Sequence, residues 1–327
     1  MINHKKTYLI IAVLFLTCTL GISQDKKKIS QASNLVIVVI NGVRYNDAFG
    51  DKNQLYIDNI WNKLRPLGTI CTRLENPELT FPIPSQMSLL TGVWHVLENP
   101  VSIKNSPAFP TLFEYWNSAH KEPGNSCYFA SNDAAFENVS CSNHAKYGAT
   151  YAPVFEIDKK SNENNAVYEK VMPYIKEKHP SFVYLSLGTG IGGKGRVDDI
   201  LGHPVCKPEQ KDACAPGLLN DYYESIIFMD AIVYDLWDRI QQVEAYKNKT
   251  VLLVLSVHGR HTNDFHGFGD KCEGCTQLFM LAIGPGIKEG FVSKKKRTLI
   301  DICRTVGAIF DIPTPYAKGS IMKELFE

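Results

Sequence analysis

Histidines and carboxylates that could bind a metal ion are concentrated between residues 256 and 270. The segment opens with Ser256-Val-His-Gly-Arg-His261, and Asp264, His266 and Asp270 follow it. Imidazole nitrogens and carboxylate oxygens are ordinary ligands of zinc and related divalent cations. The cluster therefore predicts either a metal centre or a network of hydrogen-bonded histidines that serves the structure.

Two cysteines follow directly, in the order Cys272-Glu-Gly-Cys275. This spacing suits a disulfide, a redox-active pair or a zinc site, but no βαβ redox context surrounds it, so a disulfide is favoured. Without Cys18 the sequence holds eight cysteines, an even number that fits a compartment where disulfides persist. The expected pairs are Cys127 with Cys141, Cys206 with Cys214, and Cys272 with Cys275.

The first 23 residues have the layout of a secretory signal peptide. Two lysines precede an apolar run over residues 8–16, and small or polar residues follow. The run is shorter than the roughly 20 residues that span a bilayer. We therefore expect export to the periplasm, the envelope or the medium. Membrane contact is expected only if this segment is retained as an anchor or is lipidated at Cys18.

The charge balance excludes one class of partner. Thirty-five Lys and Arg residues stand against thirty-four Asp and Glu residues, so the formal net charge is +1. Bulk electrostatics therefore provides no attraction for nucleic acid or for an anionic membrane surface. The basic run Lys294-Lys-Lys-Arg297 is expected to form a solvated turn.

Buried strands alternate with helices along the 327 residues. Unbroken apolar runs, typical of strands that are buried on both faces, span residues 34–40, 181–187, 250–256 and 277–283. Helical spacing is found over residues 55–64, 84–90, 166–178, 218–243 and 299–309. The alternation predicts one domain over residues 24–327, a three-layer α/β/α sandwich around a mostly parallel sheet. Residues 188–217 are expected to form an irregular insertion.

Functional side chains in such a sheet lie just beyond the carboxyl ends of the strands. Residues 41–44, 80–92, 188–194 and 256–267 meet that description. Three of these segments contain short motifs: Asn41-Gly-Val-Arg44, Ser88-Leu-Leu-Thr-Gly92 and Ser256-Val-His-Gly-Arg-His261.

In their order and spacing these motifs resemble the Asp-Gly-x-Arg, Ser-x-x-Thr-Gly and Ser-Asp-His-Gly-Arg-His motifs of the alkaline phosphatase superfamily. The resemblance is nearest to its type I phosphodiesterase and nucleotide pyrophosphatase branch, which is related to the sulfatases. It covers most of residues 34–325 and implies an alkaline-phosphatase-like fold. It also implies two divalent metals and a Thr or Ser nucleophile that displace an ester at phosphorus or sulfur.

Most of the family's site residues are replaced in this sequence. The resemblance places its ligands and nucleophile on Asn41, Pro82, Gly190 with Lys194 (or Thr189 with Gly193), Val257, His258 and His266. Asn41 supplies no charge, Pro82 no hydroxyl and Val257 no ligand atom. Only the two histidines keep the family's ligand type. Because dication sites rely on anionic oxygens, we expect no bound cofactor.

A rearranged active site stays open as an alternative. Asp199-Ile-Leu-Gly-His203 matches the family's Asp-x-x-Gly-His, and with His266 it would complete a three-ligand site for zinc or manganese. His258 would then serve a second metal. Thr80-Phe-Pro resembles the family's nucleophile segment, so Thr80 would be the nucleophile of an active phosphoester or sulfoester hydrolase.

The favoured hypothesis is an exported pseudo-phosphoesterase, which has the fold of a hydrolase but not its activity and keeps a binding role. Lys194 puts a positive charge where the family binds a metal, so an anionic small molecule could be held there. The same lysine is also compatible with an exposed loop. An envelope protein is the other expected partner.

Overall fold

The computed structural model describes residues 29–99, 106–122, 125–131, 135–158, 164–188, 218–262 and 267–326. Nine strands in these ranges form one sheet. They are β1 (Asn34–Asn41), β2 (Gly68–Glu75), β3 (Ser126–Ser131), β4 (Val154–Asp158), β5 (Phe182–Gly188), β6 (Thr250–Leu255), β7 (Gln277–Ile283), β8 (Phe291–Ser293) and β9 (Arg297–Thr298). The order across the sheet is β4-β3-β5-β1-β6-β7-β2-β8, and β9 pairs with β2.

The sheet is mostly parallel. Strands β4, β3, β5, β1 and β6 run in one direction, and β7 runs against both of its neighbours, β6 and β2. The carboxyl ends of β5, β1, β6 and β2 therefore point the same way. The segments that follow these strands meet at one edge of the sheet.

Seven α-helices lie within the described ranges, together with a π-helical turn at Ile60–Leu64. The helices are α1 (Pro82–Thr91), α2 (Leu112–His120), α3 (Ala135–Ser140), α4 (Asn164–Lys178), α5 (Leu218–Ile240), α6 (Glu273–Thr276) and α7 (Asp301–Phe310). Among them, α1, α2 and α7 pack on one face of the sheet, and α4 and α5 pack on the other.

The alternation of side chains along β1 divides the core into two layers. Leu35, Ile37 and Val39 belong to the apolar cluster beneath α1, α2 and α7. Val36, Val38 and Ile40 belong to the cluster beneath α4 and α5. Because successive residues of a strand point to opposite faces, an unbroken apolar run is what a strand covered on both faces requires. The predicted three-layer α/β/α sandwich is confirmed.

The predicted strands correspond to β1, β5, β6 and β7, with ends that differ by at most one residue. The helix predicted over residues 55–64 is wrong at its start, because regular helical structure begins only at residue 58. Asp230 on α5 explains the late start. Its carboxylate accepts the backbone N–H groups of Asn59 and Ile60 at 3.0 and 2.8 Å, and so provides partners for donors at a helix start.

Two sequence-based expectations concern residues outside the described ranges. These are the signal peptide over residues 1–23 and almost all of the irregular insertion over residues 188–217. In the part of the chain that the structure describes, no helix combines the length and the apolar character needed to cross a bilayer.

Candidate functional site

Asn41 ends β1 at the carboxyl edge of the sheet and is only 7% exposed. Its side-chain nitrogen donates to Ser186 Oγ at 2.9 Å and to the carbonyl oxygen of Leu187 at 3.0 Å. Both acceptors lie on the neighbouring strand β5. A carboxylate at this position has no N–H to donate, so the local structure is built for an amide.

Gln86 extends this network from α1. Its Nε2 donates to Asn41 Oδ1 at 3.3 Å and to Ser186 Oγ at 3.1 Å, and its Oε1 accepts the hydroxyl of Tyr184 at 3.2 Å. All four side chains are buried. Neutral amides and hydroxyls that bond to one another therefore occupy the position where the sequence resemblance places a metal-binding aspartate.

The start of α1 explains the proline at the expected nucleophile position. Pro82 is the first residue of the helix, where the missing N–H removes no helical hydrogen bond and the fixed φ suits the turn. Thr80, two residues earlier, is fully buried, and its hydroxyl donates to the carbonyl oxygen of Asp270 at 2.7 Å. The hydroxyl proposed as an alternative nucleophile is thus closed to solvent and bonded to backbone.

Val257 and His258 follow β6 and differ in what they offer. The Val257 side chain is fully buried in the apolar core, and its carbonyl oxygen accepts Asn76 Nδ2 at 3.1 Å. The imidazole of His258 is 2% exposed, and its Nδ1 lies 2.9 Å from the carbonyl oxygen of Gly259. Its Nε2 has no hydrogen-bond partner among the described residues.

Two phenylalanines contribute to the apolar surroundings of His258. The ring of Phe268 lies 5.0 Å from the imidazole and 5.7 Å from the ring of Phe81, which it meets edge-on. Gly269 allows this approach, because a Cβ placed there would lie 2.4 Å from the Phe81 ring. Burial lowers the pKa of His258 to about 4, so the imidazole is neutral at neutral pH.

Two arginines of the sequence motifs hold the loops of this edge together. Arg44 donates to both carboxylate oxygens of Asp47, from Nε to Oδ2 at 2.5 Å and from Nη2 to Oδ1 at 3.1 Å. Its Nη1 donates to the carbonyl oxygen of Thr262 at 3.1 Å. Arg260 is 5% exposed, donates to the carbonyl oxygen of Gly42 at 3.1 Å and lies over the ring of Tyr222. These arginines therefore link the segments after β1 and β6.

A second polar cluster lies beyond Gly259, at the entrance to β7. Its members are His261, Asp270, Cys272 and Cys275, whose ligand atoms all lie within 4.8 Å of one another. Hydrogen bonds from the Cys272 side chain and backbone lower the pKa of Asp270 well below its usual range.

The disulfides expected from local spacing are not formed where the structure describes them. Cys272, Cys275 and Cys141 are all free thiols. Cys272 and Cys275 face His261 Nδ1 instead, at 3.9 and 3.5 Å from the two sulfurs. The pairs Cys272–Cys275 and Cys127–Cys141 are therefore corrected, and Cys206 and Cys214 lie outside the described residues.

Neither a family model nor a curated protein matches this chain, whereas many solved structures share its architecture. A phosphonate monoester hydrolase from Silicibacter pomeroyi has a TM-score of 0.66 at 14% identity, covering 90% of this chain and 76% of that one. An alkaline phosphatase superfamily protein from Vibrio parahaemolyticus has a TM-score of 0.62 at 14% identity, covering 90% and 71%. This chain has the alkaline-phosphatase-like fold.

A third structure supports the same assignment. The lipoteichoic acid synthase LtaP from Listeria monocytogenes has a TM-score of 0.62 at 14% identity, covering 90% of this chain and 74% of that one. The alkaline-phosphatase-like fold agrees with the order of the sequence motifs. At these identities the likeness establishes the fold and leaves the activity to be argued from the site.

The described site residues of this alkaline-phosphatase-like chain do not fit a pair of divalent metals. Asn41 is neutral and its side chain is hydrogen-bonded to β5, Val257 is apolar, and Pro82 has no hydroxyl. Of the positions where the sequence resemblance places metal ligands, His258 alone, among those that the structure describes, offers a suitable atom, its unpartnered Nε2. The remaining predicted positions lie outside the described residues: Gly190, Lys194, Asp199, His203 and His266.

Sequence reasoning missed Gln86 and Ser186. Each is separated from Asn41 by many residues, 45 for Gln86 and 145 for Ser186. A glutamine inside a helix that is otherwise buried was the available signal for Gln86, since a buried amide needs partners. Ser186 lies in an apolar strand run and gave a similar, weaker signal.

Proposed function

We propose that this protein is an exported pseudo-hydrolase, which has the alkaline-phosphatase-like fold, does not hydrolyse esters and acts by binding. One observation carries the proposal. The side chain of Asn41 donates to Ser186 Oγ and to the Leu187 carbonyl oxygen, so the group at the position of the expected metal-binding carboxylate is a structural amide.

The energetics of dication binding support this proposal. A divalent cation loses hydration free energy when it leaves water, and anionic ligands have to compensate this loss. Gln86 and Ser186 add only neutral oxygen and nitrogen to the surroundings of Asn41. A metal at this point would also have to break the hydrogen bonds that join α1 to β5.

The state of His258 supports it further. An imidazole that binds a metal normally does so through one ring nitrogen and donates a hydrogen bond from the N–H of the other. In His258 the Nδ1 lies at hydrogen-bond distance from the carbonyl oxygen of Gly259, so the hydrogen bond of such a ligand is present. Its neighbours Val257 and Phe268 provide no further ligand, and we interpret the histidine as a remnant that packs the site.

The proposed ligand is an anionic phospho or sulfo compound, or an envelope protein that displays one. The name of the Silicibacter pomeroyi neighbour specifies phosphonate monoesters as what it hydrolyses. In this chain Lys194 would supply the positive charge, as the sequence predicts. The same proposal places the protein outside the cytoplasm, on the strength of its first 23 residues.

Turnover assays test the loss of hydrolysis. The purified protein would be incubated with p-nitrophenyl phosphate, bis-p-nitrophenyl phosphate and p-nitrophenyl sulfate, with zinc or manganese added. We expect rates equal to those of buffer with metal. Turnover above that background would overturn the proposal, and its disappearance in Thr80→Val but not in Thr72→Val would establish the rearranged site with Thr80 as nucleophile.

Titration calorimetry tests the binding role. We expect a heat of binding with p-nitrophenyl phosphate or p-nitrophenyl sulfate. This heat should be lost in Lys194→Ala and kept in the control variant Lys294→Ala. Absence of heat with both esters would rule out small anionic ligands of this kind and direct the search to a protein partner.

A further inference from the structure

The cluster at the entrance to β7 has the composition and the geometry of a thiolate-rich metal site. His261 comes from the loop after β6, and its three partners come from the segment that leads into β7. His261 Nδ1 lies 2.9 Å from Asp270 Oδ2, 3.5 Å from Cys275 Sγ and 3.9 Å from Cys272 Sγ. We propose that these four side chains bind one zinc ion.

The distances agree with tetrahedral zinc. With Zn–S near 2.3 Å and Zn–N near 2.0 Å, the nitrogen and sulfur ligands of a tetrahedral site lie about 3.5 Å apart. The two nitrogen–sulfur distances, 3.5 and 3.9 Å, are close to this value. The carboxylate oxygen has to move away from Nδ1 by about half an ångström, since the tetrahedral nitrogen–oxygen separation is about 3.4 Å.

The backbone holds the two thiols in place before any metal arrives. The N–H groups of Cys275 and Thr276 both donate to the carbonyl oxygen of Cys272, at 3.1 and 3.0 Å, and so form the short helix α6. The N–H of Cys272 donates to Asp270 Oδ1 at 3.0 Å, which leaves Oδ2 directed at His261. Three of the four ligands thus belong to one hydrogen-bonded turn.

Contacts across the loop hold His261 beside this turn. Gly259 N donates to the Cys275 carbonyl oxygen at 2.9 Å, and Arg260 N donates to the Gly274 carbonyl oxygen at 3.1 Å. Gly274 N in turn donates to Thr262 Oγ1 at 2.9 Å. A site preorganised in this way loses little conformational entropy on binding, which favours the metal.

The chemistry balances without a further reactant. On binding, the two thiols lose their protons to solvent, and the imidazole carries its proton on Nε2 while Nδ1 binds the ion. Two thiolates, one carboxylate and one imidazole form a complete tetrahedral set, typical of structural zinc rather than of a catalytic site with an open position. The ion would fix the loop after β6 to the start of β7, and this role does not depend on the loss of hydrolysis.

Metal analysis and cobalt substitution test the proposal on the full chain, purified with a reductant. We expect one zinc ion per chain, and after exchange with Co²⁺ a thiolate-to-cobalt charge-transfer band with intense visible bands of tetrahedral cobalt. Cys141→Ser is the matched control, because Cys141 is a free, half-buried thiol outside the cluster. It should keep the metal and the spectrum, whereas Cys272→Ser combined with Cys275→Ser should lose both.

A second variant covers the case in which the double substitution does not fold. His261→Ala removes one partly exposed ligand and should weaken metal affinity at least about tenfold, judged by competition with a chelator. Unchanged metal content in the double cysteine variant, or unchanged metal affinity in His261→Ala, would overturn the proposal. So would a wild-type chain that takes up neither zinc nor cobalt, or one whose mass shows a Cys272–Cys275 disulfide under the same conditions.

Discussion

Gln86 Nε2 donates to Asn41 Oδ1 at 3.3 Å, so a helix amide holds the side chain that ends β1. The bond joins α1 to the sheet at the position where the sequence resemblance places a metal ligand. Tyr184 in turn donates to the same glutamine at 3.2 Å. Because each buried polar group in this chain of contacts depends on the next, we expect changes at Asn41 to disturb packing before they affect any chemistry.

Substitution Asn41→Asp tests this expectation, since it would restore the family's carboxylate. The carboxylate loses the N–H groups that Ser186 Oγ and the Leu187 carbonyl accept, and it brings a charge to a residue that is 7% exposed. We expect a loss of about 2 kcal/mol or more in the free energy of unfolding. Urea denaturation measures it.

Asn53→Asp is the matched control, because Asn53 is exposed and the same substitution should change stability by less than about 0.5 kcal/mol. Neither variant should gain ester hydrolysis with added zinc. A variant Asn41→Asp that zinc stabilises and that turns over p-nitrophenyl phosphate would contradict the interpretation of Asn41 as a structural amide.

His258 should make the protein less stable in mild acid. Burial lowers its pKa to about 4 in the folded chain, whereas an unfolded histidine has a pKa near 6.5. Between these values the unfolded chain binds the proton and the folded chain does not, so this contribution is complete above pH 6.5 and is lost as the pH falls toward 4. At pH 5 the loss is about 2 kcal/mol.

The variant His258→Asn isolates this contribution, because its side-chain N–H can replace that of Nδ1 and does not titrate. Denaturation at pH 7.5 and pH 5 should show a smaller difference in the variant than in the wild type. Equal differences would mean that His258 is protonated or solvated in the folded state. His95, whose pKa burial also lowers to about 4, leaves a residual pH dependence in both proteins.

The sequence predicted the central strands because their pattern is local. A strand covered on both faces must be apolar at every position, and the runs that became β1, β5, β6 and β7 satisfy this within themselves. Strand β2 was missed, since its sequence Gly-Thr-Ile-Cys-Thr-Arg-Leu-Glu mixes polar and apolar residues near the edge of the sheet.

The sequence-based predictions fail for individual side chains whose partners lie far away in the sequence. Lys294-Lys-Lys-Arg297 was expected to be solvated, but Arg297 is 6% exposed, and its Nε donates to Glu324 Oε1 at 2.6 Å. The same limit applies to the site. The replacement of ligands at Asn41, Pro82 and Val257 follows from residue type, whereas the partners Gln86 and Ser186 depend on how distant segments meet.

Thr80→Val separates a structural role for Thr80 from a catalytic one. The substitution keeps the shape and removes the hydroxyl that donates to the Asp270 carbonyl at 2.7 Å. We expect a loss of about 1 kcal/mol in the free energy of unfolding, as for a single buried hydrogen bond. Thr72→Val, which removes a longer 3.3 Å bond at a half-buried position, should cost less. Unchanged stability in Thr80→Val would show that the hydroxyl has no structural role.

Gly259→Ala should disrupt the contact between the loop after β6 and the turn that carries the two cysteines. A Cβ at residue 259 would lie 1.9 Å from the carbonyl oxygen of Gly274, and a backbone atom cannot move aside as a side chain can. We expect a loss on the order of 3 kcal/mol in the free energy of unfolding, together with a loss of the proposed zinc binding, because the clash separates His261 from Cys275. Thermal unfolding and metal analysis measure the two effects.

Gly50→Ala is the control, since its added Cβ meets only side chains, those of Asn46 and Tyr45. If Gly259→Ala keeps both its stability and its metal, the close approach of these two segments is not what positions the cluster.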